Sequence, residues 1–432
     1  MKLLVYNICM IFKAYDIRGV YGDNLNEDIA YKIGRAFTVY VGSKIVLAHD
    51  NRISSEPLLE ALKRGIIDQG GDIYDIGLSS SPMFYFATTI IDCDGGIIIT
   101  ASHNPREYNG FKMVRRNAVP LSGDCGINEI KELVLSNNFP EPIKKGSYLI
   151  RDISSEYINS FEKKKYNLKV VVDTANSVSG VLVPKMLDNV NLIHMFSDLD
   201  GRFPNHNPNP LKEENLKDLR TKVVEEKADL GVAFDGDGDR VFFVDELGNI
   251  ISSDLIVALI SSLNPDWKIL YDIRCSNIVR ETAKQGIASR IGHSFIKAEM
   301  EKEDIPFGGE YSGHYYLKQG NAYFESPYFV IYSLLEAIKD KKISELISGF
   351  RKYYHSGEIN FEVSDKDKVM KEIEQKYSDG EICRLDGLRI DFNDWWMLVR
   401  ASNTEPVLRL IVEAKNEQLL KEKIKELTPF FS

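Results

Sequence analysis

Lys44-Ile45-Val46-Leu47-Ala48-His49-Asp50 is an apolar run that a lysine opens and an aspartate closes. Residues 169–173 repeat the pattern from Lys169 through three valines to Asp173, and residues 268–272 repeat it from Lys268 to Asp272. Each run is rich in branched residues and bounded by polar ones, so each reads as a strand. The copies are separated by about a hundred residues, a common domain size, which points to one α/β unit used three times.

Working outward, further strand-like runs stand at residues 96–99, 230–234 and 241–244. Amphipathic stretches separate them. Between residues 26 and 41, Ile29, Ile33 and Phe37 fall four apart behind Asn26, a natural N-cap. Strands and helices alternating on this scale predict α/β layers with mixed or parallel sheets. From residue 354 the pattern changes to short strands at 359–363, 388–392, 396–400 and 407–413. A final helix follows, with Leu420, Ile424 and Leu427 on one face. Boundaries near residues 144–148, at the turn Asp245-Glu246-Leu247-Gly248-Asn249 and near 353–358 give four expected domains. They are 1–147, 148–247, 248–353 and 354–432, the first three α/β and the last α+β.

A chain of 432 residues exceeds what one core supports. Its net charge of -10 argues against a general nucleic-acid binder, though a local basic pocket for a small anion is compatible with it. Cys9, Cys93, Cys125, Cys275 and Cys383 are scattered with no Cys-x-x-Cys pair, as expected of a reduced, cytoplasmic protein. The apolar start lacks a basic leader and falls far short of the roughly 20 residues that span a bilayer. It reads as a short tail before a first strand, and no membrane partner is expected.

Chemistry concentrates in a few places. In Asp235-Gly236-Asp237-Gly238-Asp239-Arg240 three carboxylates occupy alternate positions, and in an extended chain they project from one side. A divalent cation relieves their repulsion, and all-oxygen ligands favour magnesium or calcium over zinc. The rival is an EF-hand loop. It needs glycine at its sixth position, where Arg240 stands, and a helix where Val241-Phe242-Phe243-Val244 reads as a strand. Thr100-Ala101-Ser102-His103-Asn104-Pro105 sets a hydroxyl in a proline-closed loop, with Lys112 ten residues on. Ser102 taken alone is an ordinary loop serine or N-cap. A Ser–His hydrolase is disfavoured, since neighbouring residues rarely act as nucleophile and base and no Gly-x-Ser-x-Gly elbow is present.

Arg400-Ala401-Ser402-Asn403-Thr404-Glu405-Pro406, with Arg409, gathers two guanidiniums and short polar donors in ten residues, a set suited to phosphate. Gly292-His293-Ser294-Phe295-Ile296-Lys297 adds a cation. Gly309-Glu310-Tyr311-Ser312-Gly313-His314 offers a carboxylate, a hydroxyl and an imidazole, matched to vicinal sugar hydroxyls. A nucleophilic oxygen, a hard-metal site and scattered cations are the parts that move a phosphoryl group.

These segments, with Phe12-Lys13-Ala14-Tyr15-Asp16-Ile17-Arg18-Gly19 at the front, resemble the α-D-phosphohexomutases. Within that superfamily the resemblance is to the phosphomannomutase/phosphoglucomutase group, in the family's order and over essentially the whole chain. Residues 200–208, Asp-Gly-Arg-Phe-Pro-Asn-His-Asn-Pro, also look like this group. The resemblance implies four domains around a central cleft, three of them similar and the last smaller and mobile. It implies that Ser102 is the phosphoserine and completes a magnesium site with Asp235, Asp237 and Asp239. It makes Lys112, Arg18 and His103 the candidates for proton transfer and charge stabilisation. Substrate would meet Tyr15, Arg240, His293, Lys297, Glu310, Ser312 and His314, and its phosphate would meet Arg400, Ser402, Asn403, Thr404 and Arg409. The implied reaction interconverts hexose 6-phosphate and hexose 1-phosphate through a hexose 1,6-bisphosphate, by a monomer or homodimer.

Two departures stand out. Tyr311 occupies a place where the group more often has methionine, and Asp173-Thr174-Ala175-Asn176-Ser177 replaces a more glycine-rich stretch. The alternatives are a phosphoglucosamine mutase, a phosphotransferase that makes hexose 1,6-bisphosphate from an external donor, and a non-catalytic sugar-phosphate binder. Intact Ser102, Lys112 and aspartates argue against the last.

Overall fold

The computed structural model describes residues 9–13, 15–123, 125–401 and 407–431. The three lysine-opened runs are strands, Lys44–His49, Lys169–Asp173 and Lys268–Asp272, and each is interior to its sheet with a parallel neighbour on either side. From each the chain crosses through a helix to the next parallel strand. The helices are Ser55–Asp68, Ser179–Met186 and Asn277–Thr282. The third parallel strand of each unit is Gly95–Ile99, Leu230–Phe234 or Phe307–Gly309. It turns back into an antiparallel partner, Tyr108–Arg115, Val241–Val244 or Tyr315–Gln319. Burial on both faces explains the continuous apolar runs.

That topology fixes where function sits. The Ser102 segment, the three aspartates and the segment of Glu310 fill the same turn in the three units, between the last parallel strand and its antiparallel partner. The fourth unit is an antiparallel sheet, in which Trp395–Ala401 pairs with Leu388–Asp391 and Val407–Ala414. Its core is packed with Leu420 and Leu427 from the helix Glu417–Leu427. The predicted helix begins at Glu27, and Asn26 accepts from the Ile29 amide as its N-cap.

Sheet pairing continues across two of the expected junctions. Tyr148–Ile150 adds to the edge of the first sheet beside Asp72–Leu78, so that sheet runs past residue 147. The Asp245–Asn249 turn lies near the expected junction of the second and third units. It is a hairpin turn whose far strand, Ile250–Ile251, belongs to the second sheet. Aspartate, glycine and asparagine favour a tight reversal whatever follows it, so turn chemistry alone does not distinguish a hairpin from a linker. No helix among the described residues is long and apolar enough to cross a membrane.

Candidate active site

Ser102 lies in a tight turn with φ of +50°, uncommon for a residue with a β-carbon. Its amide donates to Thr100 Oγ1 at 2.9 Å, and the turn aims its hydroxyl at the second unit. There Ser102 Oγ donates to Asp235 Oδ2 at 2.8 Å, across 133 residues of sequence. His103 Nδ1 is 3.2 Å from the same oxygen. Burial and the cations Arg240 and Arg18 hold the His103 imidazole well below its ordinary value, hence neutral.

The two turns meet because Gly236 has no side chain. A β-carbon there would lie 2.2 Å from the carbonyl oxygen of Ser102. We expect Gly236→Ala to force the turns apart and lower kcat by about 100-fold while the fold persists. Steady-state kinetics beside circular dichroism checks this, and unchanged kcat would contradict it.

Asp235, Asp237 and Asp239 are all buried, and one oxygen of each lies within 4.8 Å of the others. Burial, then the charges of Asp239 and Asp237, push the Asp235 carboxyl up to about 8. Asp237 Oδ1 is buried and among the described residues accepts no hydrogen bond. A buried trio of oxygen donors with an unspent lone pair fits a hard divalent cation.

Lys112 projects from Tyr108–Arg115 onto the same group, with Nζ 2.6 Å from Asp237 Oδ2 and 2.5 Å from Asp239 Oδ2. Burial opposes its charge, but the two carboxylates outweigh that and hold the ammonium well above its usual range. Arg18 donates to Asn104 Oδ1 at 2.6 Å and to Asp16 Oδ2 at 2.5 Å, beside the Ser102 turn.

The third unit closes on the second through His314. Its Nε2 is 3.4 Å from Asp239 Oδ1 and 3.2 Å from Arg240 Nε, and its Nδ1 is 2.8 Å from Glu310 Oε2. Burial works against its charge, yet Asp239 leads the carboxylates that raise it to about 9. Glu310 also accepts from Tyr316 Oη at 2.8 Å and from the Gly292 amide at 3.2 Å. Ser312 Oγ is 3.1 Å from His314 Nδ1. Tyr15 brings the first unit to the third, its ring edge-on to His293 with centroids 5.8 Å apart. Arg400 and Arg409 are cross-strand partners in the fourth sheet, paired with Asp386 at 3.0 Å and Glu358 at 3.4 Å.

Not every expected residue joins this group. Lys297 is buried with its Nζ 2.7 Å from Glu325 and 3.9 Å over the Tyr85 ring. Its helix turns that face inward, so it neutralises a buried glutamate instead of lining the site as expected. Ser402, Asn403 and Thr404 fall outside the described residues. Sequence reasoning missed Ser81, which holds Asp237 from the first unit with its amide at 2.8 Å from the carbonyl and its hydroxyl at 2.6 Å from Oδ2. Ser79-Ser80-Ser81-Pro82 signals a helix start and nothing more.

The phosphoglucomutase/phosphomannomutase family models match in full order. Alpha/beta/alpha domain I matches residues 9–141, domain II 148–248, domain III 245–353, and the C-terminal domain 358–428. The chain belongs to the phosphoglucomutase/phosphomannomutase family. Its relatives include a phosphomannomutase of Methanocaldococcus jannaschii, 40% identical over 97% of this chain and 96% of the relative. A phosphomannomutase of Escherichia coli is 40% identical over 95% and 96%. The solved structure of a phosphoglucomutase/phosphomannomutase family protein from Burkholderia thailandensis superposes with a TM-score of 0.89 at 34% identity, covering 98% of this chain and 96% of that one. The protein is a phosphohexomutase, an intramolecular phosphotransferase acting on phosphorylated hexoses.

Proposed function

We propose that this mutase interconverts the 1- and 6-phosphates of mannose, and of glucose as well, with phospho-Ser102 as donor and hexose 1,6-bisphosphate as intermediate. The contact that carries this reading is the 2.8 Å approach of Ser102 Oγ to Asp235, which sets a nucleophilic oxygen beside three buried carboxylates. Asp235, Asp237 and Asp239 would hold magnesium together with the Ser102 phosphate. When bound, that ion would supply positive charge that eases the departure of the Ser102 oxygen.

The chain's own residues do the rest. Lys112, Arg18 and Arg240 surround the transfer position with positive charge, and neutral His103 sits on the nucleophile. Phosphoryl transfer asks for this alignment and charge more than for elaborate covalent chemistry. Glu310 and Ser312 are placed to accept from and donate to sugar hydroxyls. Arg400 and Arg409, with Ser402, Asn403 and Thr404, would grip the distal phosphate. A shared grip on that phosphate lets the bisphosphate turn end for end and return its other phosphate to Ser102.

A coupled assay with mannose 1-phosphate, glucose 1-phosphate and glucosamine 1-phosphate, primed with the bisphosphate, tests the reading. Turnover of the first two is expected, with little of the third. Preference for glucosamine 1-phosphate would overturn the sugar assignment. Net accumulation of bisphosphate from an external donor would overturn the mutase cycle.

A further inference from the structure

The aspartate that ends each lysine-opened strand lies next to the turn that carries function in its own unit. In the first unit Asp50 orients Arg52, accepting from its backbone amide at 3.0 Å and from its Nε at 3.2 Å. The guanidinium then donates to four backbone carbonyls of the nucleophile segment: Ser102 and Asn104 through Nη2, both at 2.7 Å, and Pro105 and Tyr108 through Nη1, at 2.7 and 3.1 Å. Three of those carbonyls lie in the turn and the fourth opens the strand Tyr108–Arg115, and Arg52, 2% exposed, bonds all four. The ring of Phe203, from residues 200–208, covers the guanidinium at 5.0 Å. In that same segment a β-carbon on Gly201 would lie 2.3 Å from the Asn51 carbonyl.

In the third unit Asp272 repeats the geometry with Arg274, accepting from its amide at 2.7 Å and from Nε at 3.0 Å. Here the guanidinium faces the sugar segment. Nη2 is 3.5 Å from Ser312 Oγ and 3.8 Å from Glu310 Oε1, while Asp272 Oδ2 accepts the Tyr311 amide at 2.8 Å. Nη1 is 3.4 Å from Glu358, which also pairs with Arg409. In the second unit no arginine follows Asp173. Its partner is His206 at 2.9 Å, again from residues 200–208, and Ser177 in the same turn donates to the Asp235 carbonyl at 3.2 Å.

We propose that Arg52 and Arg274 are positioning residues, one duplicated Asp-x-Arg device serving two separate tasks. Arg52 sets the Ser102 turn against the aspartates and so governs the transfer step. Arg274 sets Glu310 and Ser312, and through Glu358 ties the sugar segment to the distal-phosphate arginine, so it governs substrate binding. Only a planar fork of five donors can satisfy four carbonyls while paired with a carboxylate; a lysine ammonium offers three donors from one point.

The inference rests on the roles given above to Ser102 and Glu310, and the two can fail separately. Mutase kinetics of Arg52→Lys and Arg274→Lys are measured well below both melting temperatures, alongside the mass of the phosphorylated protein. In Arg52→Lys kcat is expected to fall about 10- to 100-fold with KM nearly unchanged. In Arg274→Lys KM is expected to rise about 10-fold with phosphate uptake on Ser102 intact. If Arg52→Lys does not fold, Asp50→Asn replaces it. That variant keeps the guanidinium but loses the charge that orients it, and the same fall in kcat at constant KM is expected. Parallel losses in kcat and KM for the two sites, or losses that track only the melting temperature, would overturn the proposal. A parent enzyme that takes up no phosphate on Ser102 would instead refute the nucleophile assignment, and the kcat–KM contrast would still decide the positioning roles.

Discussion

Ser102→Ala loses essentially all mutase turnover, at least about 1,000-fold, without unfolding. Ser102 is 3% exposed, and its hydroxyl donates to Asp235. Removing it therefore takes away the phosphoryl carrier while leaving the turn that Arg52 holds through main-chain carbonyls. Intact-protein mass provides the complementary reading. The parent protein, incubated with hexose 1,6-bisphosphate, gains one phosphate that maps to the peptide containing Ser102, and the variant gains none. Full turnover in Ser102→Ala, or an adduct mapping elsewhere, would remove the proposed mechanism.

Exhaustive chelation abolishes turnover, and magnesium restores it. Three carboxylates with oxygens within 4.8 Å of one another carry more negative charge than Lys112 offsets, and burial denies them water. That imbalance pushes Asp235 up to about 8, a protonation that a divalent cation would displace. Asp237→Asn should weaken the cation's hold and raise the magnesium concentration needed for half-maximal activity by about 10-fold or more. Calcium, larger and less demanding in geometry, is expected to bind and to support little turnover. Unimpaired activity after chelation, verified by metal analysis, would refute the site.

Much of this was legible in the chain. The three lysine-opened strands and the helix behind Asn26 are local patterns, and each took its expected form. The aspartate oxygens cluster as expected, but in a turn rather than an extended chain. What failed was an inference from chemistry without location. Lys297 has the right charge in the right segment but turns inward to Glu325.

By itself the sequence determined which groups were available, namely the hydroxyl, the carboxylates, the guanidiniums and the strands between them, because periodicity and residue type act over a few neighbours. Only the tertiary structure decided which of them touch. Arg52 reaches Ser102 because two parallel strands end side by side, and Ser102 reaches Asp235 because a glycine leaves room for its carbonyl. Such contacts are set by sheet order and by the space between units, which no short stretch of residues encodes.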